Sequence, residues 1–260
     1  MSGETRGGLR PQRPRRGVWF GGGLLAALIA AGSGCAGPSA TQGHAGAASE
    51  ARLLCDACGQ DASQGKRWPD GRPVCQSCAA SAVLRSSQAQ EARTWALETL
   101  RTLFGIELAA VPCRITLLDR PELLGLAGRD RHPDLRAFTE VEDTYHDELL
   151  VLREFRIYLL RGMPAVEAGA VLAHELFHIW QVKQGGGIHA QDAFREGAAQ
   201  WVQLRALRHR GATAWAERLH RDPDPVYGEG LRRFERMVLS LGEPEALRLG
   251  ATAEDFPSGF

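Results

Sequence analysis

The chain has no excess of charge of either sign, with 31 basic and 31 acidic residues among its 260. Nucleic-acid-binding proteins usually carry a basic stripe, so this balance predicts no nucleic-acid partner. An apolar run at residues 17–31 is shorter than the roughly 20 residues that a transmembrane helix needs. With 44% hydrophobic and 24% charged residues, the composition is that of an ordinary globular protein.

The first 34 residues have the three parts of a secretory signal peptide. Residues 1–16 are polar and contain five arginines, residues 17–31 are apolar, and small residues precede Cys35. A positive segment, a short apolar segment and a small-residue cleavage site are typical of export signals. A transmembrane anchor is the alternative interpretation. A cysteine at this point resembles the acylated first residue of a mature bacterial lipoprotein.

The lipoprotein hypothesis predicts where the chain is located. A lipid on Cys35 would attach the protein to a membrane of the bacterial cell envelope, and the outer membrane is the expected one. Residues 35–51 are small, polar and low in complexity, which is typical of a flexible tether between a lipid and a folded domain. We therefore expect a removable signal at 1–34, a tether at 35–51 and folded structure from residue 52.

Four cysteines form two C-x-x-C pairs with 16 residues between the pairs. This spacing is typical of a tetrahedral zinc site, in which each pair supplies two thiolates. The segment 69–71, Pro-Asp-Gly, predicts a hairpin turn between the pairs. We expect residues 52–82 to be a LIM-like zinc ribbon with a structural zinc, although disulfides are the alternative in an exported chain. The predicted ligands are Cys55, Cys58, Cys75 and Cys78.

The apolar segment 171–180 contains the motif H-E-x-x-H as His174, Glu175 and His178. Positions i and i+4 lie on the same face of a helix, so the two histidines can bind one metal ion. The glutamate beside them can act as general base on a metal-activated water. Apolar neighbours favour a buried metal site over histidines that merely fill a core, because burying such groups unpaired costs several kcal/mol. The helix is expected to begin near Pro164 and to end at the glycines 185–187.

A catalytic zinc needs a third protein ligand and an open fourth position. Residues 192–210 predict the next helix, with Asp192 as its N-cap and Glu196-Gly197 inside it. A glycine within a helix indicates close approach to another helix or to the metal. Glu196 is therefore the candidate third ligand. The alternatives are that Glu196 is a solvated surface charge, or that His189 takes the third position.

This order of motifs resembles the LIM-domain zinc peptidases of the plant "DA-one" type and their bacterial relatives. The likeness extends over about residues 52–210 and includes Arg161-Gly162-Met163-Pro164, the H-E-x-x-H segment and the later Glu-Gly. It implies a gluzincin-like site in a zincin-like domain, which we expect at residues 86–260. The implied zinc ligands are His174, His178 and Glu196, with Glu175 as base.

The pattern of elements predicts an α+β fold, with a few strands followed by packed helices. By analogy with the family, residues 156–160 are expected to form an edge strand that aligns an extended peptide. Helix is predicted near 86–103, and strands are predicted at 114–118, 137–141 and 154–160. The rest of the domain, to about residue 249, is expected to be helical.

The sequence thus predicts a zinc-dependent endopeptidase with one catalytic and one structural zinc. Its partners would be a peptide substrate and, through the lipid, a membrane. The residue that stabilises the oxyanion is left open among Tyr145, Tyr158, Tyr227 and His189. The alternatives are a non-catalytic, zinc-stabilised envelope lipoprotein that acts as a binding module, and a structural envelope protein whose histidines are core residues.

Overall fold

The computed structural model describes residues 15–18, 52–128, 134–146, 149–186 and 190–260. For residues 15–18, 145, 146 and 151 it describes only the backbone. Most of the predicted signal peptide, the tether, Cys35 and His189 lie outside the described residues. Among the helices that are described, none is both long and apolar enough to cross a membrane.

The described residues form a mixed α+β fold, which confirms the predicted class at this level. An eight-residue helix at Arg120–Ala127 was not predicted. In chain order the elements are β1 (Arg15–Val18), β2 (Lys66–Arg67), β3 (Pro73–Val74), α1 (Gln76–Ala80), α2 (Ser86–Phe104), β4 (Cys113–Leu118), α3 (Arg120–Ala127), β5 (Ala137–His146), β6 (Leu149–Leu160), α4 (Ala165–Lys183), α5 (Asp192–His209), α6 (Thr213–His220), α7 (Gly228–Leu241) and α8 (Glu243–Thr252).

Four strands form one sheet in the order β1-β5-β6-β4. The strands β5 and β6 are an antiparallel hairpin, β1 pairs antiparallel with the outer edge of β5, and β4 pairs parallel with β6. The three predicted strands are confirmed as parts of β4, β5 and β6. The expectation that residues 156–160 form an edge strand is wrong, because β6 is hydrogen-bonded on both sides.

The cysteine module has its own small apolar cluster, separate from the main core. Strands β2 and β3 form the predicted hairpin, and the amide of Gly71 donates to the Trp68 carbonyl at 2.9 Å. Gly71 has a φ of 87°, a left-handed conformation that glycine adopts without steric cost. Trp215 of α6 packs against both clusters and so joins the module to the rest of the chain.

Helix α4 is the central helix of the fold and is buried on almost all sides. It begins directly after Pro164 and ends before Gly185, as the sequence predicts. It packs against α2, α5 and β5. A Cβ on Gly169 would lie 1.7 Å from the ring of Trp95, so this glycine lets α2 contact the α4 backbone directly. The position of α4 is therefore fixed from several directions.

Helix α5 confirms the predicted helix at 192–210 but begins differently. Its N-cap is Gln191, and Asp192 is the first helical residue, which pairs with Arg195 at 2.8 Å. A Cβ on Gly197 would lie 2.4 Å from the carbonyl of Gly230 in α7. The glycine therefore serves the close approach of two helices, which is one of the two reasons that the sequence suggested.

A buried ion network joins the cysteine module to the sheet and to α4. The carboxylate of Asp56 accepts a hydrogen bond from Arg136, which is 1% exposed, and lies 3.1 Å from Arg120. The Arg136 Nε is in turn 3.5 Å from Glu167, a buried residue in the first turn of α4. Arg218 of α6 donates to the carbonyl of Asp56 at 3.0 Å. Charges inside the protein thus hold three parts of the chain together.

Candidate metal centres

Three side chains from two helices converge on one point. His174 and His178 lie one above the other on α4, and Glu196 projects from the first turns of α5. Their exposed fractions are 0%, 3% and 1%, so the cluster is enclosed by protein. The donor atoms lie close enough together to hold a single metal ion.

The spacing of the donor atoms fits a tetrahedral ion. The two histidine Nε2 atoms are 3.0 Å apart, and each is 3.3 Å from Oε2 of Glu196. A tetrahedral ion with bonds of about 2.0–2.1 Å separates adjacent ligand atoms by about 3.3 Å. Three protein donors on one face of the tetrahedron leave the fourth position for water or a substrate.

Gln181 fixes the tautomer of His178. Its Nε2 donates to the carbonyl of Gly250 at 2.7 Å, which turns its Oε1 toward Nδ1 of His178 at 2.8 Å. Because an amide oxygen only accepts, Nδ1 carries the proton and the Nε2 lone pair faces the cluster. The Gly250 carbonyl lies at the end of α8, where helix carbonyls lack intrahelical partners. This contact therefore links α8 to the candidate metal site.

Arg195 orients the carboxylate of Glu196 from the side away from the histidines. Its guanidinium is 3.2 Å from Oε1 of Glu196 and 2.8 Å from Asp192. One oxygen of Glu196 thus pairs with a cation, and the other faces the two histidines. The arrangement fixes the rotation of the carboxylate, as is common around metal ligands.

A hydrogen bond from strand β5 fixes the carboxylate of Glu175. The hydroxyl of Thr139, on β5, donates to Oε2 of Glu175 at 2.8 Å, and both residues are buried. The glutamate follows His174 directly, so it lies beside the cluster on the side where β5 packs against α4. A carboxylate with one oxygen fixed has a defined direction in which it can accept a proton.

The electrostatics of the cluster favour a cation. Burial lowers the pKa of His174 to about 4. Burial also opposes protonation of His178, but the carboxylates of Glu196 and Glu175 outweigh it and raise the pKa of His178. Burial would raise the pKa of Glu196, yet the two histidines and Arg195 bring it below its usual range. A buried anion that draws a proton onto its neighbour is a site where a metal ion can replace that proton.

The four cysteines of the module also converge. All five cysteines that the structure describes are free thiols, and Cys58 Sγ lies 3.7 Å from Cys75 Sγ. A disulfide needs about 2.05 Å. A tetrahedral ion with metal–sulfur bonds of about 2.3 Å places adjacent sulfurs about 3.8 Å apart. The spacing of this pair, with all four sulfurs within 4.8 Å of one another, suits a metal ion held by four thiolates.

The candidate oxyanion residues lie at different positions relative to the histidine–glutamate cluster. Tyr158 stacks on Phe138 and donates to Glu140 at 3.0 Å. Since side chains alternate along a strand, these residues lie on the face opposite Thr139 and away from α4. Tyr158 therefore does not face the cluster. Tyr227 lies at the N-terminus of α7, whose Gly230 contacts α5.

For the other two oxyanion candidates, the side chain of Tyr145 and all of His189 lie outside what the structure describes.

Sequence reasoning missed three supporting residues, namely Thr139, Gln181 and Arg195. Gln181 could have been found, since it lies three residues after His178 on the same helix face. The contact of Thr139 depends on tertiary structure and leaves no local signal.

The chain matches no protein-family model, no curated protein and no solved structure.

Proposed function

We propose that the chain is a zinc metallopeptidase with His174, His178 and Glu196 as ligands of the catalytic ion. The observation that carries the proposal is the convergence of their donor atoms at 3.0–3.3 Å, with Glu175 beside them. Two imidazoles and one carboxylate are the ligand set of one class of zinc peptidases. The zincin-like character and the kinship with "DA-one"-type peptidases are parts of the same proposal.

Zinc bound there would supply a Lewis acid and lower the pKa of a water at the open position. Thr139 directs the carboxylate of Glu175, which would accept a proton from that water and pass it to the leaving amine. Gln181 and Arg195 keep two of the ligands in the orientation that binding requires.

The cysteine module would hold a second, structural zinc. Four sulfur ligands close the coordination sphere and leave no position for a substrate. Asp56 lies between Cys55 and Cys58 and is bound by Arg136, so an ordered knuckle also orders the contact with the sheet. Export, acylation of Cys35 and attachment to the cell envelope complete the proposal and rest on the sequence pattern alone.

Two measurements test the function. Elemental analysis is expected to find two zinc ions per chain in the parent and one in Glu196→Ala. A peptide library is expected to be cleaved by the parent, and neither by the chelated parent nor by Glu196→Ala. Two zinc ions with no cleavage of any peptide would favour the non-catalytic binding lipoprotein. Cleavage that survives chelation would exclude the metallopeptidase.

A further inference from the structure

The outer edge of β5 is occupied by a strand from the beginning of the chain. Residues 15–18 pair antiparallel with residues 140–143, with Arg15 opposite Asp143 and Val18 opposite Glu140. Without this partner, β5 would present a row of unpaired backbone groups. Such an edge is what an extended peptide needs in order to add a strand to a sheet.

This edge borders the candidate catalytic site. Thr139 is the next residue of β5 beyond Glu140, and its hydroxyl donates to Glu175 at 2.8 Å. Val141 points to the same side of the sheet and belongs to the main core. A peptide that continued the register of residues 15–18 by one position would therefore place a residue across from Thr139.

Acidic residues of β5 lie in the segment that pairs with this strand. Two arginine positions, 15 and 16, face the acidic positions Asp143 and Glu142. On the described side chains, Asp143 pairs with Arg153 at 2.6 Å, and Glu142 pairs with Arg156 at 2.8 Å. The backbone groups of such an edge require an extended chain.

We propose that the outer edge of β5 is the strand-addition site for an extended peptide, and that residues 15–18 occupy it in cis and exclude that peptide. The exclusion of a substrate rests on the proposed function, whereas the pairing itself does not. Removal of residues 1–34, which the signal-peptide hypothesis requires, would uncover the edge. Cleavage of the signal peptide during export would then also open the substrate site.

The test uses the full chain with residues 1–34 retained. Adjacent amides of a strand point to opposite sides, so the double variant Arg16→Pro/Gly17→Pro removes the donor toward β5 in either register. The matched control is Arg16→Ala/Gly17→Ala, which keeps both amides. Hydrogen exchange is measured at residues 140–143. The alternate amides that face β1 are expected to exchange about tenfold faster in the proline variant only, while those that face β6 stay protected.

Kinetics test the second half of the proposal. If the edge is blocked in cis, the proline variant is expected to show about tenfold lower KM for a cleaved library peptide, with kcat unchanged. Equal exchange in the proline and alanine variants would overturn the pairing, whatever the cleavage result. Faster exchange with an unchanged KM in a cleaving enzyme would overturn the exclusion. Absence of cleavage from every form, with exchange as expected, would reject the peptidase function and with it the exclusion, and leave the pairing standing.

Discussion

Replacing Glu167 with glutamine should change how the stability of the protein depends on pH. Burial raises the pKa of Glu167 from 4.5 to about 7, although Arg136 opposes this rise. The unfolded chain therefore ionises this group at lower pH than the folded protein does. The stabilisation by the protonated group is complete below pH 4.5 and is lost as the pH rises to about 7.

The size of the effect follows from the two pKa values. A tenfold change in a protonation equilibrium corresponds to about 1.4 kcal/mol, so the parent should lose about 2–3 kcal/mol between pH 5 and pH 8 from this group. Glutamine resembles the protonated acid and cannot ionise. The free energy of unfolding of Glu167→Gln should therefore rise by about 2–3 kcal/mol relative to the parent over the same interval.

The assay is urea unfolding of both proteins at pH 5 and pH 8, at equal metal content. The control is Glu98→Gln, which removes an exposed carboxylate from α2 and should follow the parent at both pH values. If Glu167→Gln and the parent change in parallel between the two pH values, the raised pKa of Glu167 is refuted.

Two further substitutions test contacts around the site. Gln181→Ala should weaken metal binding at the histidine–glutamate site by about 10–100-fold in chelator competition, because the His178 tautomer is no longer fixed. Gln184→Ala, an exposed change on the same helix end, should leave the affinity as it is, and equal affinities in both variants would contradict the role of Gln181. Gly197→Ala should lower the free energy of unfolding by about 1–3 kcal/mol, because its Cβ would lie 2.4 Å from the carbonyl of Gly230. The control is Gly125→Ala, because a Cβ on Gly125 meets nothing within 4 Å and should cause no such loss. Equal stability of the two variants would contradict the close approach of α5 and α7.

The central helices were predictable because their signals are local. Pro164 and the glycine at 185 bracket α4, and the histidine spacing places both rings on one face. The short helix α3 also carried a readable signal that the sequence interpretation missed. The side chain of Asp119 caps its N-terminus, and Glu122 accepts from the Asp119 amide at 2.9 Å, forming a capping box.

The sheet order was not predictable in the same way. Strands β4 and β6 pair in parallel between residues 42 positions apart, with α3 and β5 lying between them in the chain, and no local pattern encodes that pairing. For the same reason the bond from Thr139 to Glu175 could not be foreseen. The sequence indicates which residues could hold a metal ion, whereas their supporting contacts depend on how distant segments pack.

The most direct test of the central claim is peptide cleavage by the parent and by Glu175→Gln at equal zinc content. The substitution keeps both histidines and Glu196, so zinc is expected to remain at the parental stoichiometry. It removes the group that accepts a proton, so cleavage is expected to fall by about 100-fold or more. Cleavage at the parental rate by the zinc-loaded variant would contradict Glu175 as the base and, with it, this account of the site.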